Sequence, residues 1–253
     1  MPAKSAKTMS GEVYYPSQDV IDQAHLKDWD ALAASADKDL EGFWANEADE
    51  LEWYSKWDKV LDDSNKPFFQ WFVGGKVNIV HNAVDRHLKS NRRNKLALIW
   101  ESETGDQERT FSYYSLNREV CRMANIIKAM GVQKGDRVTI YMPRIPEIVF
   151  AMLACAKIGA IHSVVFGGFS TDALRGRIDD SASKLVITAD GGYQNGKVVE
   201  LKRILDEALK QCPSVENVIV VKRVGHEVPM ETSRDHWYHE LCVLPIANGK
   251  CST

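Results

Sequence analysis

Glycines, amides and a lysine crowd one short stretch of the chain, Gly191-Gly192-Tyr193-Gln194-Asn195-Gly196-Lys197, and that mixture suits an anion. Glycine lets a phosphate come close to the backbone, exposed N–H groups donate to it, and Lys197 adds a point charge. The competing reading is an ordinary hydrophilic turn with a solvated lysine. A second glycine pair, Gly167 and Gly168, follows Phe166 at the end of an apolar run and serves either a ligand or tight strand-to-helix packing. His236, His239 and Cys242 repeat at three-residue spacing, as zinc ligands can, but no fourth ligand of fitting spacing follows. The acidic faces 37–41 and 47–52 read as solvated surfaces, because no coordinating spacing converges there. His162 lies in an apolar run and reads as a core histidine rather than a proton-transfer group. Arg175 and Arg177 read as solvated or ion-paired groups near the glycine loop.

Such residues need a scaffold that delivers them to strand ends. Ile161, Val164, Val165 and Phe166 read as a buried strand, and Ser170 caps a following helix carrying Ala173, Leu174 and Ile178. Leu185, Val186 and Ile187 form the next strand, which ends at Asp190 and opens into the glycine loop. Upstream, residues 95–100 and 108–111 flank a Thr104-Gly105-Asp106 turn, the pattern of a β-hairpin. Ser112 caps a helix with Leu116, Val120, Met123, Ala124 and Ile127 on its buried stripe, and Gly131 ends it. Residues 137–142 make a strand, 147–158 an apolar helix closed by Gly159, and 217–222 a further strand. Strand, helix, strand units at this spacing imply right-handed crossovers in a largely parallel sheet, whose ligands gather at the carboxyl ends.

Before that sheet, residues 1–17 read as a tail and 18–61 as short helices holding Trp29, Trp44, Trp53 and Trp57. Residues 67–75 form an aromatic knot of Phe68, Phe69, Trp71 and Phe72, and 78–88 a helix through Ile79, Ala83, Val84 and His87. The predicted fold class is therefore α/β, with a helical N-terminal cap followed by a first, incomplete α/β subdomain. After Val224 the pattern turns polar and irregular, and no closing element is read before Thr253.

Composition narrows the function classes. A net charge of −3, with acids and bases interleaved, gives no field favouring nucleic acid or an anionic membrane, so any anion site is local. No uncharged apolar stretch reaches the ~18 residues of a membrane helix, and the start is polar rather than signal-like, which makes the cytoplasm the expected compartment. Five cysteines, Cys121, Cys155, Cys212, Cys242 and Cys251, are an odd number without CxxC spacing, which argues against a disulfide scaffold.

Several segments carry more specific information. Trp71-Phe72-Val73-Gly74-Gly75, Asp85-Arg86-His87, Tyr141-Met142-Pro143 with Ile145-Pro146-Glu147, residues 151–156, His162 through Ser170, Arg177-Ile178, residues 186–190 and Trp237-Tyr238-His239-Glu240-Leu241 together resemble AMP-forming acetyl-CoA synthetases. A linear series of this kind is far more specific than a lone glycine motif. The resemblance covers nearly everything after about Pro16.

It implies an acid–thiol ligase with acetate, ATP and coenzyme A as substrates and Mg²⁺ as the ion, its ligands outside this chain. It also implies residues 18–90 as the family's helical N-terminal region and 91–253 as the first part of its AMP-binding domain, cut short. The family's threonine- and glycine-rich phosphate loop, ribose-gripping aspartate, Mg²⁺-binding acid and terminal lysine have no counterpart here, so no catalytic residue is carried over. The expected partner is the missing C-terminal portion of the same enzyme.

One site does carry over. The loop that in the family reads Arg-Gly-Gly-Arg and holds the 3′-phosphate end of coenzyme A aligns with Gln194, Asn195, Gly196 and Lys197, and Phe166, Gly167 and Gly168 join it as weaker candidates. Lys197 replaces a planar arginine fork by a point charge, and Gln194 replaces one by a neutral donor. Two other readings stand beside this one: a propionyl-CoA synthetase fragment, and a non-catalytic binding or assembly module. A nicotinamide-dependent oxidoreductase fails for want of a GxGxxG turn.

Overall fold

The apolar runs of the second half of the chain become one parallel sheet. The computed structural model describes residues 14–248 and 251; residues 1–13 of the expected tail lie outside them. Its contacts separate the described residues up to Leu51, with 56–75, from 52–55 with those from Lys76 onward.

The first unit holds α1 (Gln18–Gln23), α2 (Trp29–Lys38) and α3 (Leu40–Ala48), then the antiparallel pair β1 (Lys59–Asp62) and β2 (Gln70–Val73). The carboxylates of Asp28 and Asp39 accept the Ala31 and Gly42 N–H groups, so both acids work as N-caps. The predicted aromatic knot is a packing device: Trp44 meets Trp71 at 6.1 Å between ring centroids, and Trp57 meets Phe72 at 5.1 Å.

The second unit begins with α4 (Ile79–Ala83) and a 3₁₀ turn at Asp85–Lys89, followed by the hairpin β3 (Leu96–Glu101) and β4 (Glu108–Ser112). Then come α5 (Tyr113–Ala129), β5 (Arg137–Met142), α6 (Pro146–Ile158), β6 (Ile161–Phe166), α7 (Thr171–Ser181) and β7 (Leu185–Ala189). A small hairpin, β8 (Gly192–Gln194) with β9 (Lys197–Val199), precedes α8 (Leu201–Leu209), β10 (Asn217–Val221), β11 (Asp235–Trp237), α9 (Tyr238–Leu241) and a 3₁₀ turn at Pro245–Asn248.

Strands run in the order β11-β10-β7-β5-β6, every neighbour parallel. All five residues of β7 are buried, as a central strand covered on both faces requires. Burying side chains such as Leu185 and Ile187 contributes about 1.5–3 kcal/mol each. Ser112 and Ser170 cap α5 and α7 as expected, their hydroxyls accepting the Ser115 and Ala173 N–H groups.

Four expectations need correcting. The short helices read over 18–61 stop at Ala48, and Lys59–Asp62 is strand because it pairs with Gln70–Val73. The single helix over 78–88 breaks at Val84, whose φ of −130° leaves helical geometry. The turn after it brings the Asp85 carboxylate to Lys157 Nζ (2.5 Å) and to the Asn117 amide (2.6 Å), which gives a nearly inaccessible lysine its counter-charge. The strand at Ile161 exists but is not buried. It forms the sheet edge, and Ile161, Val164 and Phe166 are exposed while Val165 is not.

The irregular stretch after Val224 also ends in a closing element, because β11 adds to β10 in register. Lys202 organises it: fully buried, its ammonium donates to both oxygens of Asp206, to the Pro229 carbonyl (2.9 Å) and to Asp235 (2.8 Å). No hydrophobic pattern encodes that anchor.

Candidate functional site

At the carboxyl ends of β5, β6 and β7 the second unit opens into a cavity of about 700 Å³, where an open parallel sheet places its ligands. Phe166 and Gly167 line it from the end of β6, Gln194 and Asn195 from the β8–β9 hairpin, and Met142, Pro143 and Arg144 from the end of β5. Trp100, Glu101 and Glu103 close it from the β3–β4 hairpin, and Arg223 from the loop after β10.

Buried Tyr141 fixes the β6 corner: its hydroxyl donates to the Gly167 carbonyl at 3.2 Å, and burial pushes its ionisation up to about 12, so it stays a donor. A Cβ on Gly168 would meet the Phe166 ring at 2.5 Å, so a larger residue there would have to push that half-exposed ring aside.

The glycine loop is not open. Asn195 and Gly196 have φ of +51° and +71°, the left-handed pair of a tight two-residue hairpin turn, and Gln194 pairs with Lys197 across it. Asn-Gly flanked by strand residues is the sequence signal for this turn, so the expected open loop is a hairpin. At the base of the hairpin a Cβ on Gly192 would lie 2.5 Å from the Pro143 Cβ, so the strand passes close over the β5 corner.

The structure thus brings Phe166, Gly167, Gln194 and Asn195 into one wall. Gly168 lies behind the Phe166 ring, while Gly196 and Lys197 fall outside the lining; Lys197 is exposed on β9, and the Gly196 N–H donates to Glu103 Oε1 at 2.8 Å.

Asp190 holds the arrangement. Its buried carboxylate accepts from the backbone N–H groups of Gly191 (2.8 Å), Arg223 (2.7 Å), Val224 (3.1 Å) and Gly225 (2.7 Å). A strand-terminal aspartate was legible in the sequence; its four donors, three of them more than thirty residues downstream, were not. The same clamp delivers Arg223, which the sequence reading did not single out.

Other candidates lie elsewhere. Arg175 bonds Gln211 (3.0 Å) and pairs with Asp172, and Arg177 stacks over Phe169. His162 sits on the edge strand, where burial lowers its ionisation. His236 contacts Asn217 at 3.0 Å, and among the described residues no group of three or more His, Cys, Asp or Glu is arranged to hold a metal ion. No described helix is long and apolar enough to cross a membrane.

Comparison with known proteins agrees with the motif series. The family model described as AMP-binding enzyme matches residues 84–244, and the model for the acetyl-coenzyme A synthetase N-terminus matches residues 29–83. The chain is 52% identical over 232 residues to acetyl-coenzyme A synthetase of Gemmatimonas aurantiaca, covering 89% of this chain and 35% of that protein. It is 54% identical over 212 residues to acetyl-coenzyme A synthetase of Pyrobaculum arsenaticum, covering 81% and 32%. The chain therefore spans about a third of the length of these curated relatives.

Among solved structures, acetoacetyl-CoA synthetase from Streptomyces lividans superposes with a TM-score of 0.80 at 24% identity, covering 93% of this chain and 36% of that one, which shows the shared fold. Parallel sheet, cavity and sequence matches together place the chain in the AMP-binding enzyme family, joined at residues 29–83 to the N-terminal region described for acetyl-coenzyme A synthetases.

Proposed function

We propose that this chain is the amino-terminal part of an AMP-forming acetate–CoA ligase, and that its cavity receives the nucleotide end of coenzyme A. In the complete reaction acetate and ATP give acetyl-AMP and pyrophosphate, and the thiol of coenzyme A then displaces AMP to give acetyl-CoA. This portion supplies a wall for the thiol carrier, with Gln194 and Asn195 beside Phe166 and Gly167. Lys197 and Gly196 stand at the rim, and Gly168 supports the corner.

The observation that carries the reading is this convergence. Two segments almost thirty residues apart, which the resemblance assigns to coenzyme A, meet in one cavity at the carboxyl edge of the sheet. An exposed aromatic face on Phe166 suits a purine, and amide donors suit phosphate oxygens. The adenylation residues of the family have no counterpart in the sequence, so activation of the acid belongs to the portion beyond it. ATP and Mg²⁺ would act there, with the carboxyl-terminal remainder of the enzyme as partner.

Two measurements on the purified chain test this. Calorimetric titration with coenzyme A is expected to show saturable binding, and a pyrophosphate-release assay with acetate, ATP, Mg²⁺ and coenzyme A is expected to stay at background. Acetate-dependent turnover, or no detectable heat at millimolar coenzyme A, would overturn the assignment.

A further inference from the structure

Arg223 is anchored by three kinds of contact and makes no direct ion pair among the described residues, although the Asp106 carboxylate beyond pairing distance feels its charge. Its backbone N–H is held by Asp190 at 2.7 Å, and its guanidinium lies over the Trp100 ring at 5.1 Å and over the Tyr193 ring at 5.2 Å. Nη1 donates to the amide oxygen of Gln107 at 2.5 Å. Among the described residues it has no carboxylate within ion-pair distance, a state it shares with Arg144 of the same lining, but Arg223 alone of the two is held by aromatic rings and by the Asp190 clamp.

The guanidinium carries five N–H donors, of which Gln107 takes one, and an arginine fork can grip a phosphate with two hydrogen bonds. This one lines the cavity, while Lys197 does not.

Opposite in role stands Glu103. The tip of the β3–β4 hairpin carries it into the cavity lining, where its carboxylate accepts the Gly196 N–H at 2.8 Å. The turn donor that would suit an incoming phosphate is thus already occupied by an anion of the protein itself.

We propose that Arg223 is the phosphate-gripping residue of this cavity, and that Glu103 is an internal anion which the ligand phosphate displaces from the Gly196 N–H. The inference rests on the reading of the cavity as the site for the nucleotide end of coenzyme A, and it names the cation that serves where Gln194 supplies none. Arg223 attracts the phosphomonoester and Glu103 competes with it, so the two charges act on affinity in opposite directions.

The test is calorimetric titration of the 253-residue chain with adenosine 3′,5′-bisphosphate and, separately, with adenosine 5′-monophosphate. The wild-type chain is expected to prefer the bisphosphate. Arg223→Gln should weaken bisphosphate binding by roughly ten- to a hundredfold, the worth of a charge-assisted contact, and erase the preference. Arg223→Lys should restore part of it, and Glu103→Gln should tighten the bisphosphate several-fold while leaving the monophosphate little changed.

No preference in the wild type would remove the coenzyme reading and this inference with it. A preference kept in Arg223→Gln but lost in Lys197→Ala would overturn only the assignment of Arg223. If Arg223→Gln does not fold by circular dichroism, the exposed Glu103→Gln variant decides, because unchanged or weaker bisphosphate binding there refutes the displacement.

Discussion

Replacing Asp190 tests whether one buried carboxylate holds the corner of the site together. It accepts four backbone N–H groups at 2.7 to 3.1 Å, from Gly191 next to it and from Arg223, Val224 and Gly225 after β10. Hydrogen bonds to a charged acceptor contribute about 1.5–3 kcal/mol each when nothing replaces them. In Asp190→Ala, water reaches the exposed Gly225 and part of the Arg223–Val224 backbone, whereas the N–H of buried Gly191 stays without a partner. The net loss expected is therefore about 3–4 kcal/mol, well below the full worth of four bonds and still a large share of the ~5–15 kcal/mol that a domain has. Asp190→Asn keeps one carbonyl oxygen for three of the donors and turns an amide against the Gly225 N–H, so about 1–2 kcal/mol is expected. Urea unfolding followed by far-UV circular dichroism measures both, with the midpoint falling and the slope unchanged. If both variants stay within about 0.5 kcal/mol of wild type, or if asparagine costs as much as alanine, the clamp is not what fixes the loop.

Three more outcomes follow from the buried charges and thiols. Lys202→Met removes the buried cation that Asp206 and Asp235 share and leaves Arg234 as their remaining bridge, so it should cost about 1.5–3 kcal/mol at neutral pH, read by chemical unfolding. Burial alone would raise the Asp235 carboxyl, but hydrogen bonds from Arg234, Lys202 and the Glu231 N–H outweigh it and hold it below the ordinary 3.8. A depressed carboxylate stabilises above its unfolded value and loses that contribution as pH falls through the lower folded value. The wild type should thus lose stability below about pH 4, and Lys202→Met should show a shallower acid slope; equal slopes would refute the network. Among the thiols, hydrogen bonding from Cys121 lowers Cys251 to about 7 and burial pushes Cys155 up to about 12. Iodoacetamide at pH 7.5 should therefore label Cys251 before Cys155 by peptide mass mapping, and the reverse order would contradict these environments.

The elements that the sequence specified well are those written in local terms. Ser112 and Ser170 announce helix starts because a side-chain oxygen reaches N–H groups only three residues on. Gly159, at φ +75°, ends α6 because a left-handed residue there needs no distant partner. The unbroken apolar run of β7 marks a central strand, since a strand covered on both faces has no solvent side to alternate with. The Asn195-Gly196 turn is equally local, since Asn-Gly between strand residues specifies a two-residue hairpin by itself.

What sequence could not fix depends on partners distant in the chain. Ile161, Val164 and Phe166 have the composition of a buried strand, yet sheet order alone puts β6 at the edge and exposes them. The break at Val84 serves an ion pair between residues 72 positions apart, and the order after Val224 hangs on Lys202 meeting Asp235. Phe166, Gly167, Gln194 and Asn195 were found as candidates from residue type and resemblance, whereas Arg223 was not. A lysine-arginine pair after a strand looks like solvated surface until Asp190, Trp100 and Tyr193 converge on it. Periodicity and capping are properties of neighbours within a few residues, so the chain itself determined most of its helices and strands, while its series of short motifs carried the family. Which charge faces the cavity is set by long-range packing, and only the folded molecule decided it.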